Sequence, residues 1–126
     1  GWCPPVNIAQ RCYIDGGVAS PTSADFLLGS DIDEVIILAP MASSNPDAPR
    51  SLLARIERRI RRGMTAIVDA EVNRLKQAGN RVIRLDLGAA DLQAIGYNMM
   101  DPTRRKQVFE TALQTTPPAV HSALTQ

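Results

Sequence analysis

Glu34-Val35-Ile36-Ile37-Leu38-Ala39-Pro40, "EVIILAP", is a short unbroken apolar run rich in β-branched residues, bounded by the acidic turn "GSDIDE" and by Pro40. A run of that length between breakers reads as a strand. Because apolar and polar residues do not alternate in it, burial on both faces is expected, as in a parallel sheet with helices on either side. Working outward, "MASSNPDAP" is a polar, proline-punctuated loop. The next stretch, from about Ser51 to Ala78, carries Leu52, Ile56, Ile60, Met64, Ile67, Val68, Val72 and Leu75 at spacings of three and four, with Gly79-Asn80 as a stop. This predicts one long helix of about 40 Å with those residues as its core face. Gly63 within it implies a close packing contact. "RVIRLDL", Arg81 to Leu87, is a second strand, so the centre of the chain reads strand, helix, strand.

On the N-terminal side, Pro4-Pro5 marks a loop, and "VNIA" and "CYI" are short β-like runs that fit a small hairpin. Gly16 and Gly17 end the second run. "SPTSADFLLG", with Pro21, Thr22, Ser23 and Asp25 at its start and Gly29 as its stop, predicts a short helix. On the C-terminal side, "AADLQAIG" reads as a short helix ended by Gly96. Asp101 as N-cap with Pro102 at the first helical position opens a last helix through about Thr115. The expected fold class is α/β with a mostly parallel sheet, in one unit over residues 1–116, followed by a tail over 117–126. The chain opens on Gly1, and its first residues read like the middle of a domain already under way.

Composition narrows the function classes. Of 126 residues, 44% are apolar, enough to bury a core. Fourteen Lys and Arg against thirteen Asp and Glu leave a net charge of +1, so no global field attracts nucleic acid or an anionic membrane, and any basic surface must be local. "ARIERRIRRG", Ala54 to Gly63, is such a local cluster. Its charges interleave with Ile56 and Ile60 and no aromatic accompanies them, which argues against nucleic acid and leaves a solvated helix face or a lipid-surface contact. Cys3, Cys12 and the single histidine, His121, have no zinc-ligand spacing, and "SDIDE" lacks the spacing of a calcium loop, so no metal or other cofactor is expected. Cys3 and Cys12 read as small apolar fillers, Met99 and Met100 as core cover, and His121 as a surface residue. No run is long enough for a membrane span and no charged region precedes an apolar one at the start, so a cytoplasmic protein, at most peripheral at a membrane, is expected.

"YIDGGVASPTSADFLL", "DEVIILAPM" and "GNRVIRLDLGAADLQAIGYNMMDPTRRKQVFETAL" together resemble the C-terminal half of bacterial patatin-like phospholipases, over roughly Pro5 to Pro117. The most specific element is Asp15-Gly16-Gly17. The resemblance implies a partial three-layer α/β/α patatin-like fold. It makes Asp15 the catalytic aspartate of a serine–aspartate dyad, supported by Gly16 and Gly17, acting on a lipid or other acyl ester. In that family the serine lies in a GxSxG elbow and a glycine-rich loop binds the oxyanion. Neither motif occurs in this sequence, so the resemblance implies a missing N-terminal half that carries them, and an inactive isolated chain. Where Ser23 stands, relatives often have Asn in a "PTNAD" loop; a serine hydroxyl is expected to cap the following helix instead.

Asp-Gly is also a leading hairpin-turn dipeptide, so the local sequence alone allows Asp15 to be a turn residue. Direct action on a serine needs a carboxylate within hydrogen-bond reach, and neighbouring glycines let backbone and substrate approach. An ordinary carboxylate is a weak base, so an active site of this kind would have to desolvate it. The alternative, from a different class, is a non-catalytic α/β fragment or interaction module.

Overall fold

In the computed structural model, which describes residues 4–44 and 51–125, the chain forms strands β1 (Val6–Ile8), β2 (Arg11–Tyr13), β3 (Glu34–Ala39) and β4 (Arg81–Asp86) and helices α1 (Leu52–Gln77), α2 (Ala89–Ile95) and α3 (Arg105–Leu124). β3 and β4 pair in parallel, Glu34 opposite Arg81 through Ala39 opposite Asp86, joined by α1 as a β–α–β crossover. β1 and β2 pair antiparallel, Val6 opposite Tyr13, in a separate hairpin. The protein is therefore α/β, with one parallel pair and one antiparallel pair among the described residues.

The core lies between one face of β3 and the C-terminal half of α1. Val35, Ile37 and Ala39 point to that side and pack with Val68, Val72 and Leu75, joined by Ala24 and Ala42. Side chains alternate across a strand, and the parallel register puts Val82, Arg84 and Asp86 on the same face as Val35, Ile37 and Ala39. Arg84 accordingly donates to Asp69 of α1 and, at 2.7 Å, to Asp86. Ile83 and Leu85 turn the other way, toward α3, which packs on β4.

β3 departs from the expectation of burial on both faces. Ile36 is 55% and Leu38 67% exposed, so only one face is covered. α3 packs mainly on β4 and α2, and a cavity of about 340 Å³ separates Leu38 from α3 residues such as Ala112 and Thr116. α1 departs in the same way. Leu52, Ile56 and Ile60 are exposed, while Arg58 and Arg61 are buried. Twenty-six helical residues span about 39 Å and six strand residues about 20 Å, so α1 outruns the sheet. Its first half passes the C-terminal end of β3, where Arg61 donates to the Pro40 carbonyl at 2.7 Å and Arg58 to the Leu92 carbonyl of α2 at 3.0 Å. Gly63 makes no close contact: a Cβ there would meet nothing within 4 Å.

Three further expectations change. "SPTSADFLLG" forms only a 3₁₀ turn, Ala24–Leu27, and the Ser23 hydroxyl does not cap it. The backbone of Ser23 is left-handed, with φ 51°, and the Ser20 hydroxyl instead accepts from the amides of Thr22 and Ser23 at 3.1 and 2.8 Å. α3 does not stop near Thr115 but runs to Leu124, so most of the segment read as a tail is helical despite Pro117 and Pro118. Those prolines have no N–H, and the carbonyls of Leu113 and Gln114 lose their usual partners. Cys12, Met99 and Met100 are exposed rather than core residues; Cys3 lies outside the described residues.

The remaining stops and starts follow their sequence signals. Gly96 ends α2 at φ 75°, and Arg104 donates to the last-turn carbonyl of Ala94 at 2.8 Å. Asp101 accepts from the Thr103 amide at 3.0 Å and opens a 3₁₀ turn, Pro102–Arg104, that leads into α3. His121 is exposed near the end of α3.

Candidate active site

Asp15, Gly16 and Gly17 lie together at the exit of β2. Asp15 is not in a hairpin turn, because the hairpin turns at Ala9 and Gln10, both with positive φ. It is the N-cap of a 3₁₀ turn, Gly16–Val18, and its Oδ1 accepts from the Gly17 amide at 2.9 Å. A Cβ on Gly17 would stand 3.3 Å from that oxygen, so a glycine there lets the carboxylate fold back over the turn. Oδ2 accepts no hydrogen bond among the described residues, and no serine, threonine or histidine side chain bonds to Asp15. The carboxylate is open to solvent. These residues alone do not supply the desolvation that a carboxylate base of this kind requires.

What holds the segment after Asp15 is a residue that the sequence pattern did not single out. Glu71 of α1 is buried, accepts from the Thr22 hydroxyl and, at 3.1 Å, from the Ala24 amide. Burial would raise the Glu71 carboxyl, but hydrogen bonds from Ser20, Thr22 and the Ala24 amide, with the charge of Arg74, outweigh it and hold the group below the usual carboxylate range. Arg74 also pairs with Asp25 at 3.1 Å, so one side of α1 fixes Thr22, Ala24 and Asp25 in the segment that follows the Asp15 turn. Glu71 carried a signal. It sits at i+3 from Val68 and beside Val72, a charge inside an apolar stripe, and such a charge is buried only when bonded.

A second polar cluster marks the C-terminal edge of the parallel pair. The Ser44 hydroxyl donates to Asp86 Oδ2 at 2.6 Å, while Ser43 donates through its hydroxyl to the Leu87 carbonyl at 2.8 Å and receives nothing from Asp86. The Ser44–Asp86 pair has the composition of a nucleophile and its base. Asp86, however, is paired through Oδ1 with Arg84, whose guanidinium also holds Asp69. With Oδ1 committed to Arg84 and Oδ2 to Ser44, Asp86 ties the loop after β3 to β4.

Four cavities of about 340 to 520 Å³ lie elsewhere. One of about 350 Å³ runs between α1 and the loop after α2, lined by Leu53, Ile56, Ile60, Tyr97, Met99 and Met100 among others. None of these four is lined by Asp15. Among the described residues no three His, Cys, Asp or Glu side chains group as metal ligands, and no helix is long and apolar enough to cross a membrane. In comparisons with known proteins, no family model, no curated protein and no solved structure matches the chain.

Proposed function

We propose that this chain carries the base of a patatin-type lipid acyl-ester hydrolase, with Asp15 as the aspartate of a serine–aspartate dyad and a patatin-like arrangement of the sheet and its helices. Asp15 takes the proton of the serine as its oxygen attacks the ester carbonyl, and passes it to the departing alcohol. In the second half-reaction it takes a proton from the water that frees the acyl group and returns it to the serine. The serine and the oxyanion donors come from a GxSxG elbow and a glycine-rich loop outside these residues.

The observation that supports this reading is the posture of Asp15. One carboxylate oxygen is fixed by the Gly17 amide, the other accepts no hydrogen bond among the described residues, and Glu71 anchors Thr22 and Ala24 in the segment that follows. A capping role uses the first oxygen and leaves the second open to a serine hydroxyl. The test is Asp15→Asn in the complete hydrolase. Asparagine keeps the size and the capping oxygen but cannot accept the proton, so kcat/KM for a short-chain nitrophenyl ester falls at least about 100-fold with an unchanged thermal melt. The 126-residue chain by itself gives no hydrolysis above background. A folded variant that keeps more than about a tenth of wild-type kcat/KM returns Asp15 to the role of a capping residue.

A second reading, an interaction module without catalysis, is favoured by the solvent exposure of Asp15 and by its absence from the linings of the four cavities described above. The coding sequence upstream of Gly1 separates the two: an in-frame GxSxG with a glycine-rich loop belongs to the hydrolase, and the lack of both to the module.

A further inference from the structure

We propose that the N-terminal half of α1 is a docking face for an anionic lipid surface. Successive helical residues are about 100° apart. Leu52, Leu53, Ile56 and Ile60 therefore cover one side of the helix, and Ala54, Arg58 and Arg61 another, which is the side turned into the protein. All four apolar residues are more than half exposed. The stripe continues across a groove to Tyr97 and Met100, so the surface is contiguous and not a set of scattered side chains.

Charge decides the occupant. Arg55, Arg59 and Arg62 fall on the side of the helix that adjoins Leu52 and Ile56, are exposed, and make no ion pair among the described residues. The acid that lines the groove, Glu57, is tied to both Arg58 and Arg61 and adds no free negative charge. An apolar stripe flanked by unpaired cations fits an interface with acyl chains below and phosphate groups at the level of the guanidinium groups. A second copy of the chain fits it poorly, since it would bring three more unpaired arginines to the seam and no unpaired acid to meet them among the residues lining the groove.

The proposal rests on the hydrolase reading only in placing the substrate within a lipid interface. Its test measures binding without turnover, so its failure and that of the Asp15 reading are separable. The full chain is floated with vesicles of phosphatidylcholine alone and of phosphatidylcholine with about a third phosphatidylglycerol. The anionic vesicles should bind at least about tenfold more tightly, and the difference should shrink as salt is raised toward about 0.5 M. Arg55→Gln/Arg59→Gln/Arg62→Gln should weaken anionic binding roughly 100-fold, and Ile56→Ser/Ile60→Ser should weaken it as well, with circular dichroism as the fold control. The salt series needs no variant and stands if one misfolds. No binding by the folded chain, equal binding to neutral vesicles, or an unaffected arginine variant would overturn the proposal. So would a dimer in which hydrogen exchange shows residues 52–60 protected and vesicles excluded, which would assign the face to a second copy.

Discussion

At the scale of single residues, Glu71 carries more of the local structure than Asp15. Asp15 was legible because its glycines stand beside it in sequence, whereas the bonds of Glu71 reach residues 47 and 49 positions away. No local pattern names such partners. Ser23 is similar: its left-handed backbone comes from the bonds that Ser20 makes to residues 22 and 23, and left-handed backbone favours Asn, the residue the resemblance associates with this position. The Glu71 arrangement predicts a pH dependence with a definite sign. A carboxyl held below its ordinary value of 4.5 in the folded state contributes stability fully above that value and loses it as pH falls through the folded-state pKa. Glu71→Gln should therefore cost about 1–3 kcal/mol near pH 7, and the difference from wild type should narrow as the solution is acidified below about pH 4. Urea unfolding at a series of pH values checks it. A constant difference across that range would show that the charge of Glu71 contributes nothing to the anchor.

At the scale of elements, the strands and the long helix were legible and their burial was not. The spacing of three and four in α1 is real, but it merges two stripes. Val68, Val72 and Leu75 meet the sheet, while Leu52, Ile56 and Ile60 lie beyond its end. A sequence gives the period of a helix without the length of the sheet it crosses, so both stripes read as one core face. Helix length also explains the buried arginines, since Arg58 and Arg61 satisfy loop and helix-end carbonyls that the short sheet leaves behind. The end of α3 was misread for a different reason: Pro117-Pro118 is a strong breaker signal, yet the helix continues through it. Gly63 gives a clean test of the α1 geometry. It lies mid-helix, exposed, with open space where a Cβ would stand. Gly63→Ala should then stabilise the chain by about 0.5–1 kcal/mol through helix propensity and a smaller unfolded-state entropy. A rise in the urea midpoint with an unchanged slope is the expected reading; a fall would mean that a neighbour approaches Gly63 in solution.

At the scale of the whole molecule, the exposed surface is large for a chain of this mass. The accessible area is 9140 Å², whereas a folded monomer of 13.7 kDa exposes about 6600 Å². Part of the excess is the hairpin β1–β2, all of whose residues are exposed, and part is the uncovered face of β3 with Phe109 and Leu113 of α3. β3 is an edge on its outer side and shows Ile36 and Leu38 to solvent, the combination that invites pairing with another chain. The sequence announced a parallel sheet through "EVIILAP" but not its extent, because an unbroken apolar run is the same whether its second face is covered within the chain or by something outside it. The isolated chain should accordingly be marginally stable and should associate in a concentration-dependent way. Ile36→Lys/Leu38→Lys should shift it toward monomer, since both side chains lie on the open face and their replacement removes no contact with the core formed by Val35, Ile37 and Ala39. Sedimentation velocity over about a hundredfold range of concentration, with a thermal melt of each species, reads both effects. A monodisperse wild-type monomer that unfolds cooperatively with a high midpoint would show that the open face of β3 needs no cover, and the expectation of a partner segment over the sheet would fall with it.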